Sequence, residues 1–230
     1  MTARAGRKSP GPARILIVDD HPIVRQGLSQ FIAQTEDLRV CGEAGDAREA
    51  LEAIRKTLPD LVIVDLSLGS ASGLDLVEEL KAQAPKLPIL VLSMHDETLY
   101  AERALRAGAR GYVMKDRPID EVVTAARRIL RGEVHLSERM SARLLQKLVS
   151  GAPQATDSLI GTLSNRELQV FELIGQGFGT RNIAARLHLS VKTIDTHREN
   201  IKHKLSFADS VELHQHAFLW VQRMPKPGVR

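Results

Sequence analysis

The sequence predicts an α/β doubly wound domain with a five-stranded parallel sheet, followed by an all-α domain built around a helix-turn-helix. Three observations predict it. Five short apolar runs, RILIV, LRVCGE, LVIVD, PILVLS and GYVMK, alternate with amphipathic stretches between residue 14 and about residue 132. These runs are near-continuous in Val, Ile and Leu without polar alternation, as strands covered on both faces require. From Leu163 onward no strand pattern remains and the periodicity is helical throughout.

The start, residues 1–13, is basic and rich in Pro and Gly, and it lacks the apolar segment of a secretory signal. It is expected to be a disordered tail, and residues 225–230 form a second tail. The first run ends in ILIVDDH, with Asp19 and Asp20 side by side before His21 and Pro22. One Asp suffices to cap the next helix; two adjacent carboxylates repel unless a cation or proton compensates. DAREALEAIRKT and GLDLVEELKAQA, each with apolar residues every three or four positions, are predicted helices between strands. The third run closes on Asp65, the fourth on Ser93 and the fifth on Lys115. In an open parallel sheet of order 2-1-3-4-5, strands one and three are neighbours, and chemistry collects at the C-terminal strand ends. Asp19, Asp20, Asp65, Ser93 and Lys115 then face one cleft. Each alone reads equally well as a cap, a turn residue or a surface charge; the set does not.

Three close carboxylates suit a hard cation, Mg²⁺ rather than zinc, since His21 alone makes no zinc site. A carboxylate so compensated can perform acid–base work, or attack phosphorus and become an acyl phosphate. Lys115 favours the second, because an ammonium beside the nucleophile balances the incoming phosphoryl charge while Ser93 donates to a phosphoryl oxygen.

Beyond the sheet, SERMSARLLQKLVS reads as one amphipathic helix capped by Ser137, inside a linker of residues 134–160 that ends in SGAPQATDS. Residues 161–224 follow as the helical domain. Ser164 with Glu167 forms a capping box, Gly177 and Gly179 break the first helix, and Thr180 and Ser190 are the expected caps of the next two. In VKTIDTHRENIKHKL, Val191, Ile194, Ile201 and Leu205 share one face; Lys192, Asp195, Thr196, Glu199, Lys202 and His203 lie away from it. Asp195 and Glu199 stand at like-charge i,i+4 spacing, and the polar face shows no alternation for mutual support. A face of that kind suits an external partner better than solvent.

Charge agrees. Residues 1–14 carry four basic and no acidic side chains, residues 15–158 carry 18 and 22, and residues 159–230 carry 10 and 6. An acidic body followed by a basic C-terminal segment suggests that only the C-terminal end meets a polyanion. The single cysteine, Cys41, excludes an internal disulfide and is expected to be a buried, inert thiol in a cytoplasmic protein. No apolar stretch approaches the length of a membrane span.

Residues 14–133 resemble a receiver domain of two-component signalling, of flavodoxin-like fold, on Asp19/Asp20, Asp65, Ser93 and Lys115. LSMHDE…RALRAGARGYVMKD is similar to the NarL/FixJ group of response regulators. The resemblance implies Asp65 as phospho-acceptor, with Lys115 and Ser93 acting beside it, and Ser93 and Tyr112 as switch residues. It further implies Mg²⁺ on Asp20, Asp65 and the Ser67 backbone carbonyl, with Asp19 contributing through water. The C-terminal segment resembles the LuxR-type DNA-binding domain, which places Asp195, Thr196 and Glu199 at base edges, Lys192 and Thr193 near phosphates, and Lys202 on the same DNA-facing surface. Implied partners are a sensor histidine kinase, double-stranded DNA and, when phosphorylated, a second copy of the chain. The family pattern has Met-Pro after the acceptor and Gly after Lys-Leu; this chain has Leu66-Ser67-Leu68-Gly69 and Ser206. The expectation is therefore a phosphorylation-switched transcription regulator, not an enzyme beyond self-phosphorylation from small donors and slow self-dephosphorylation. The rival readings are a Mg²⁺-dependent aspartyl-phosphate phosphohydrolase and a DNA-binding protein with a passive dimerisation domain.

Overall fold

The computed structural model describes residues 11–69, 71–150 and 159–223. The terminal tails and the SGAPQATDS linker that the sequence marks as unstructured fall almost wholly outside these residues. The chain divides after Met140 into two compact units.

In the first unit, β1 (Ala13–Val18), α1 (Pro22–Ile32), β2 (Leu38–Ala44), α2 (Ala47–Thr57) and β3 (Leu61–Val64) lead into a small ribbon, β4 (Ser67–Leu68) and β5 (Ala71–Ser72). Then come α3 (Gly73–Gln83), β6 (Ile89–Ser93), α4 (Glu97–Ala107), β7 (Gly111–Met114) and α5 (Ile119–Leu130). The five-stranded sheet has the order β2-β1-β3-β6-β7, all pairs parallel, so the predicted neighbourhood of the first and third strands is present. Ile15, Leu16, Ile17, Leu61, Val62, Ile89, Leu90 and Val91 are fully buried, because helices cover both faces. Each such side chain contributes roughly 1.5–3 kcal/mol of hydrophobic stabilisation.

Two expectations about this unit change. The LRVCGE strand is an edge strand with half-buried residues, so it lacks the two-sided cover of the central three. Cys41 within it is partly exposed, its Sγ 3.5 Å from Thr57 Oγ1. The second change is the β4–β5 ribbon, which apolar patterning does not reveal because two residues per strand carry no period. Gly69 turns it with φ +57, a conformation open to glycine at no steric cost. Where the family pattern has a proline, this loop is therefore ordered by pairing.

α6 (Glu138–Ser150) leads out of the first unit. The second unit holds α7 (Asn165–Gly175), α8 (Thr180–Arg186), α9 (Val191–Leu205) and α10 (Ser210–Arg223). Ser164 and Glu167 form the expected capping box, and Glu167 also accepts from Lys204 Nζ at 2.7 Å, joining α7 to α9. Burial opposes the Glu167 charge, but the Lys204 bond prevails and its carboxyl is held below the usual range. Ile194, Ile201 and Leu205 are buried as predicted, whereas Val191 is 43 % exposed because it begins the helix beyond the edge of the core. Ser190 caps α9, but Gly179 rather than Thr180 occupies the cap of α8. Thr180 is its first residue, and its hydroxyl accepts from Arg198 Nη1 at 2.8 Å. Ser206 takes φ 58, so serine adopts here the left-handed turn that glycine adopts more cheaply. No helix among the described residues is long and apolar enough to cross a membrane.

Candidate phosphoryl-acceptor site and nucleic-acid interface

Because β1 and β3 are adjacent and parallel, their C-terminal ends place Asp19, Asp20 and Asp65 side by side. Ligand atoms of Asp19, Asp20, His21 and Asp65 lie within 4.8 Å of one another. Lys115, one residue past β7, reaches in from the far side of β6. Its Nζ is 2.6 Å from Asp19 Oδ2 and 2.6 Å from Asp65 Oδ2. Asp19 also accepts from the His21 backbone N–H at 2.9 Å, and Asp20 Oδ2 accepts from the Gly69 N–H at 3.2 Å. His21 Nδ1 lies 2.6 Å from Asp20 Oδ1 without the alignment of a hydrogen bond.

The electrostatics follow from burial. Desolvation pushes the Asp65 carboxyl up, opposed by Lys115 and reinforced by Asp19. Burial works against the Lys115 ammonium, but Asp65 and Asp19 outweigh it and its pKa is raised. Lys115 is thus a fixed cation in this cluster, and two carboxylates, those of Asp19 and Asp65, share its ammonium. Asp65 Oδ1 is buried without a hydrogen-bond partner. A buried, orphaned carboxylate oxygen beside two further acidic groups fits a hard divalent cation of oxygen preference such as Mg²⁺.

Ser93 ends β6, fully buried, and its Oγ accepts from the His95 N–H at 3.2 Å. Tyr112 is buried as well, with its hydroxyl donating to the His95 carbonyl at 2.7 Å. The ring therefore lies inward, held by that bond. Ser67, two residues beyond Asp65, places its hydroxyl 3.2 Å from His95 Nε2. His95 thus joins the acceptor loop, the strand-end hydroxyl and Tyr112, a role sequence reasoning missed because a lone exposed-looking histidine after a strand has no distinguishing pattern. Gly73 was missed too. A Cβ on it would lie 1.9 Å from the Asp65 carbonyl oxygen and 2.6 Å from Leu66 Cα, so α3 begins in contact with the acceptor backbone. Beside the cluster, a groove of about 370 Å³ runs between α1 and the start of α5, lined by His21, Gly27 and Arg117 among others. Ile23 (79 % exposed) and Met94 (68 %) stand at its rim.

On α9, Lys192, Asp195, Thr196 and Glu199 are exposed together. Thr193 is half-buried, with its hydroxyl 2.8 Å from Ser190 Oγ in the cap. The Thr196 hydroxyl donates to the Lys192 carbonyl at 3.0 Å. Lys202 is only 18 % exposed and pairs with Glu199 at 2.9 Å, so the polar face does contain an internal i,i+3 ion pair that the pattern of like charges concealed. Arg198 turns inward, its Nη1 donating to the Thr180 hydroxyl at 2.8 Å.

Comparison with known proteins identifies the family of each unit. Residues 15–127 match the response regulator receiver domain and residues 161–217 match the bacterial regulatory proteins of the luxR family. The oxygen regulatory protein NreC of Staphylococcus carnosus is 34 % identical over 208 residues, which are 89 % of this chain and 96 % of that protein. A LuxR-family two-component response regulator from Aurantimonas sp. is similar at 36 % identity and TM-score 0.56, over 60 % of this chain and 99 % of that one. RcsB of Salmonella enterica serovar Typhimurium, bound to promoter rprA with phosphomimetic BeF₃⁻, is similar at 26 % identity and TM-score 0.59, over 90 % and 99 %.

Proposed function

Given that the chain belongs to the two-component response regulators, a receiver joined to a LuxR-type DNA-binding domain and hence a phosphorylation-dependent transcription regulator, we propose that Asp65 is its phospho-acceptor. The carrying observation is the Lys115 ammonium 2.6 Å from both Asp19 and Asp65, beside the orphaned Asp65 oxygen. A carboxylate oxygen of Asp65 attacks phosphorus of a phosphohistidine on a sensor histidine kinase. The P–N bond breaks, the imidazole leaves with the electron pair and takes up a proton, and an acyl phosphate forms. Lys115 balances the charge brought by the phosphoryl oxygens. Asp20, Asp65 and the Ser67 carbonyl would hold Mg²⁺, with Asp19 acting through water, and a bound ion would neutralise carboxylate and phosphoryl charge. The groove rimmed by Ile23 and Met94 supports docking of the kinase beside Asp65. Small donors such as acetyl phosphate serve in place of the kinase, and the chain otherwise turns over no substrate.

Ser93 is the group that reports the phosphoryl. Turning its hydroxyl toward a phosphoryl oxygen withdraws the acceptor now used by the His95 N–H, which frees the start of α4 to shift. The phosphorylated chain dimerises and sets two copies of α9 on double-stranded DNA. Acetyl phosphate with Mg²⁺ is expected to raise DNA affinity of the wild-type chain. Ser93→Ala is expected to take up phosphate as the wild type does and to lose that gain, read by phosphate incorporation and by DNA titration on the same samples. An undiminished gain assigns the reporting role to another group.

For the DNA surface, Lys192 acts on phosphate and Glu199 on a base edge. Lys192→Ala is expected to weaken binding to every sequence and to make the log–log salt slope shallower by about one unit. Glu199→Ala is expected to relax preference at one base pair by roughly 1–3 kcal/mol, with the salt slope unchanged or slightly steeper because Lys202 is released. Titration of both variants against the best site and its single-base changes at two salt concentrations decides. Equal strengthening on all sequences by Glu199→Ala removes that residue from the groove.

A further inference from the structure

We propose that the segment Val134–Met140 reads the state of the acceptor site, with the Ser137–Glu97 hydrogen bond as the joint that carries it to α6; this rests on Ser93 and Tyr112 being the switch. The segment adds itself to the open edge of the sheet. His135 bridges Gly111 in parallel register, the Tyr112 N–H donates to the His135 carbonyl at 3.0 Å, and the His135 N–H donates to the Arg110 carbonyl at 3.0 Å. The approach is close: a Cβ on Gly111 would lie 2.9 Å from the His135 carbonyl oxygen. Two residues on, Ser137 Oγ donates to Glu97 Oε1 at 2.8 Å and accepts from the Met140 N–H at 3.0 Å. Met140 itself is buried.

Both anchors belong to the switch. Tyr112 holds the His95 carbonyl through its hydroxyl and the His135 carbonyl through its backbone N–H. Glu97 is the first residue of α4, two beyond His95, whose N–H rests on Ser93 Oγ. A path of hydrogen bonds and two peptide units therefore runs from Ser93 Oγ through His95 to Glu97, then to Ser137 and the first turn of α6. Glu97 is only 7 % exposed, and a carboxylate is rarely buried to that degree without a bonded partner. Ser137 supplies that partner from outside the helix, and a hydroxyl–carboxylate bond is lost over a displacement of about 1 Å. An apolar contact at the same place would slide without breaking. The joint accordingly has two states, made and broken, as a relay requires.

The test uses the full chain with Ser137→Ala, Ser137→Thr, Glu97→Ala and the Ser137→Ala/Glu97→Ala pair. Without phosphodonor, amide exchange across residues 134–140 is expected to be about five- to tenfold faster in Ser137→Ala and near wild type in Ser137→Thr, which keeps the hydroxyl. With acetyl phosphate and Mg²⁺, Ser137→Ala and Glu97→Ala are expected to take up phosphate at the wild-type rate. The ratio of their DNA affinities with and without phosphodonor is expected to fall to within about twofold of one. The double variant is expected to fall no further, since both single changes break the Ser137–Glu97 bond, whereas only Ser137→Ala also loses the bond from the Met140 N–H and Glu97→Ala keeps it. Ser137→Thr is expected to keep the wild-type ratio. Wild-type exchange in Ser137→Ala, or a wild-type affinity ratio in it, overturns the joint. A wild-type chain that takes up no phosphate overturns the assignment of Asp65 instead, so the two failures are distinct.

Discussion

Asp65→Asn is expected to lower Mg²⁺-dependent phosphate uptake from acetyl phosphate by on the order of 1,000-fold, about 4 kcal/mol in the barrier, with the fold intact. The amide has the shape of the carboxylate but no nucleophilic oxygen, and as a metal ligand it is weaker. Stability is expected to hold because burial already disfavours the Asp65 charge, and Lys115 keeps Asp19 as a partner at 2.6 Å when the second carboxylate is neutralised. The measurement is incorporation of base-labile phosphate beside a thermal unfolding curve. Wild-type incorporation by this variant would place the acceptor elsewhere.

Gly73→Ala is expected to disturb the same chemistry from the opposite side. Its Cβ would meet the Asp65 carbonyl oxygen at 1.9 Å and Leu66 Cα at 2.6 Å, both backbone atoms that no rotamer change can move aside. The helix start is also tied to the loop through the Gly73 N–H, which donates to the Leu66 carbonyl at 2.8 Å. Either α3 or the acceptor must shift, at a cost of roughly 1–3 kcal/mol as for other overpacked sites. A displacement near 1 Å at Asp65 misaligns attack, and uptake is expected to fall by about 10²-fold even at temperatures where the variant is fully folded. Uptake rates measured well below the unfolding midpoint separate the two effects. A variant that is destabilised yet phosphorylated at the wild-type rate would show that α3 yields and Asp65 stays.

The acceptor cluster was legible because parallel β/α architecture converts strand ends into spatial neighbours. Once the five runs are seen, Asp19, Asp20, Asp65, Ser93 and Lys115 follow from strand order, and order is restricted by the short right-handed connections available. The short ribbon after Asp65 was not legible, since Ser67–Leu68 and Ala71–Ser72 are too brief to show a period. Nor was the cap of α8. Thr180 is the better capping residue by type, but its hydroxyl is taken by Arg198 from another helix, so tertiary contact overrode local preference. The Glu199–Lys202 pair lay in plain view at i,i+3 spacing, yet spacing alone does not say which of several charges a lysine will choose.

By itself the sequence determined the α/β unit, the helical unit, the buried faces of the central strands and the identity of the charged strand ends, because periodicity and burial act on each segment locally. Only the tertiary structure decided what those side chains hold. It set the Lys115 ammonium between two carboxylates, left one Asp65 oxygen without a partner, brought His95 between Ser67, Ser93 and Tyr112, and seated Ser137 on Glu97. Such contacts join residues far apart in the chain. Their energies depend on distances of an ångström and on how much water is excluded, and neither quantity is written in the order of the residues.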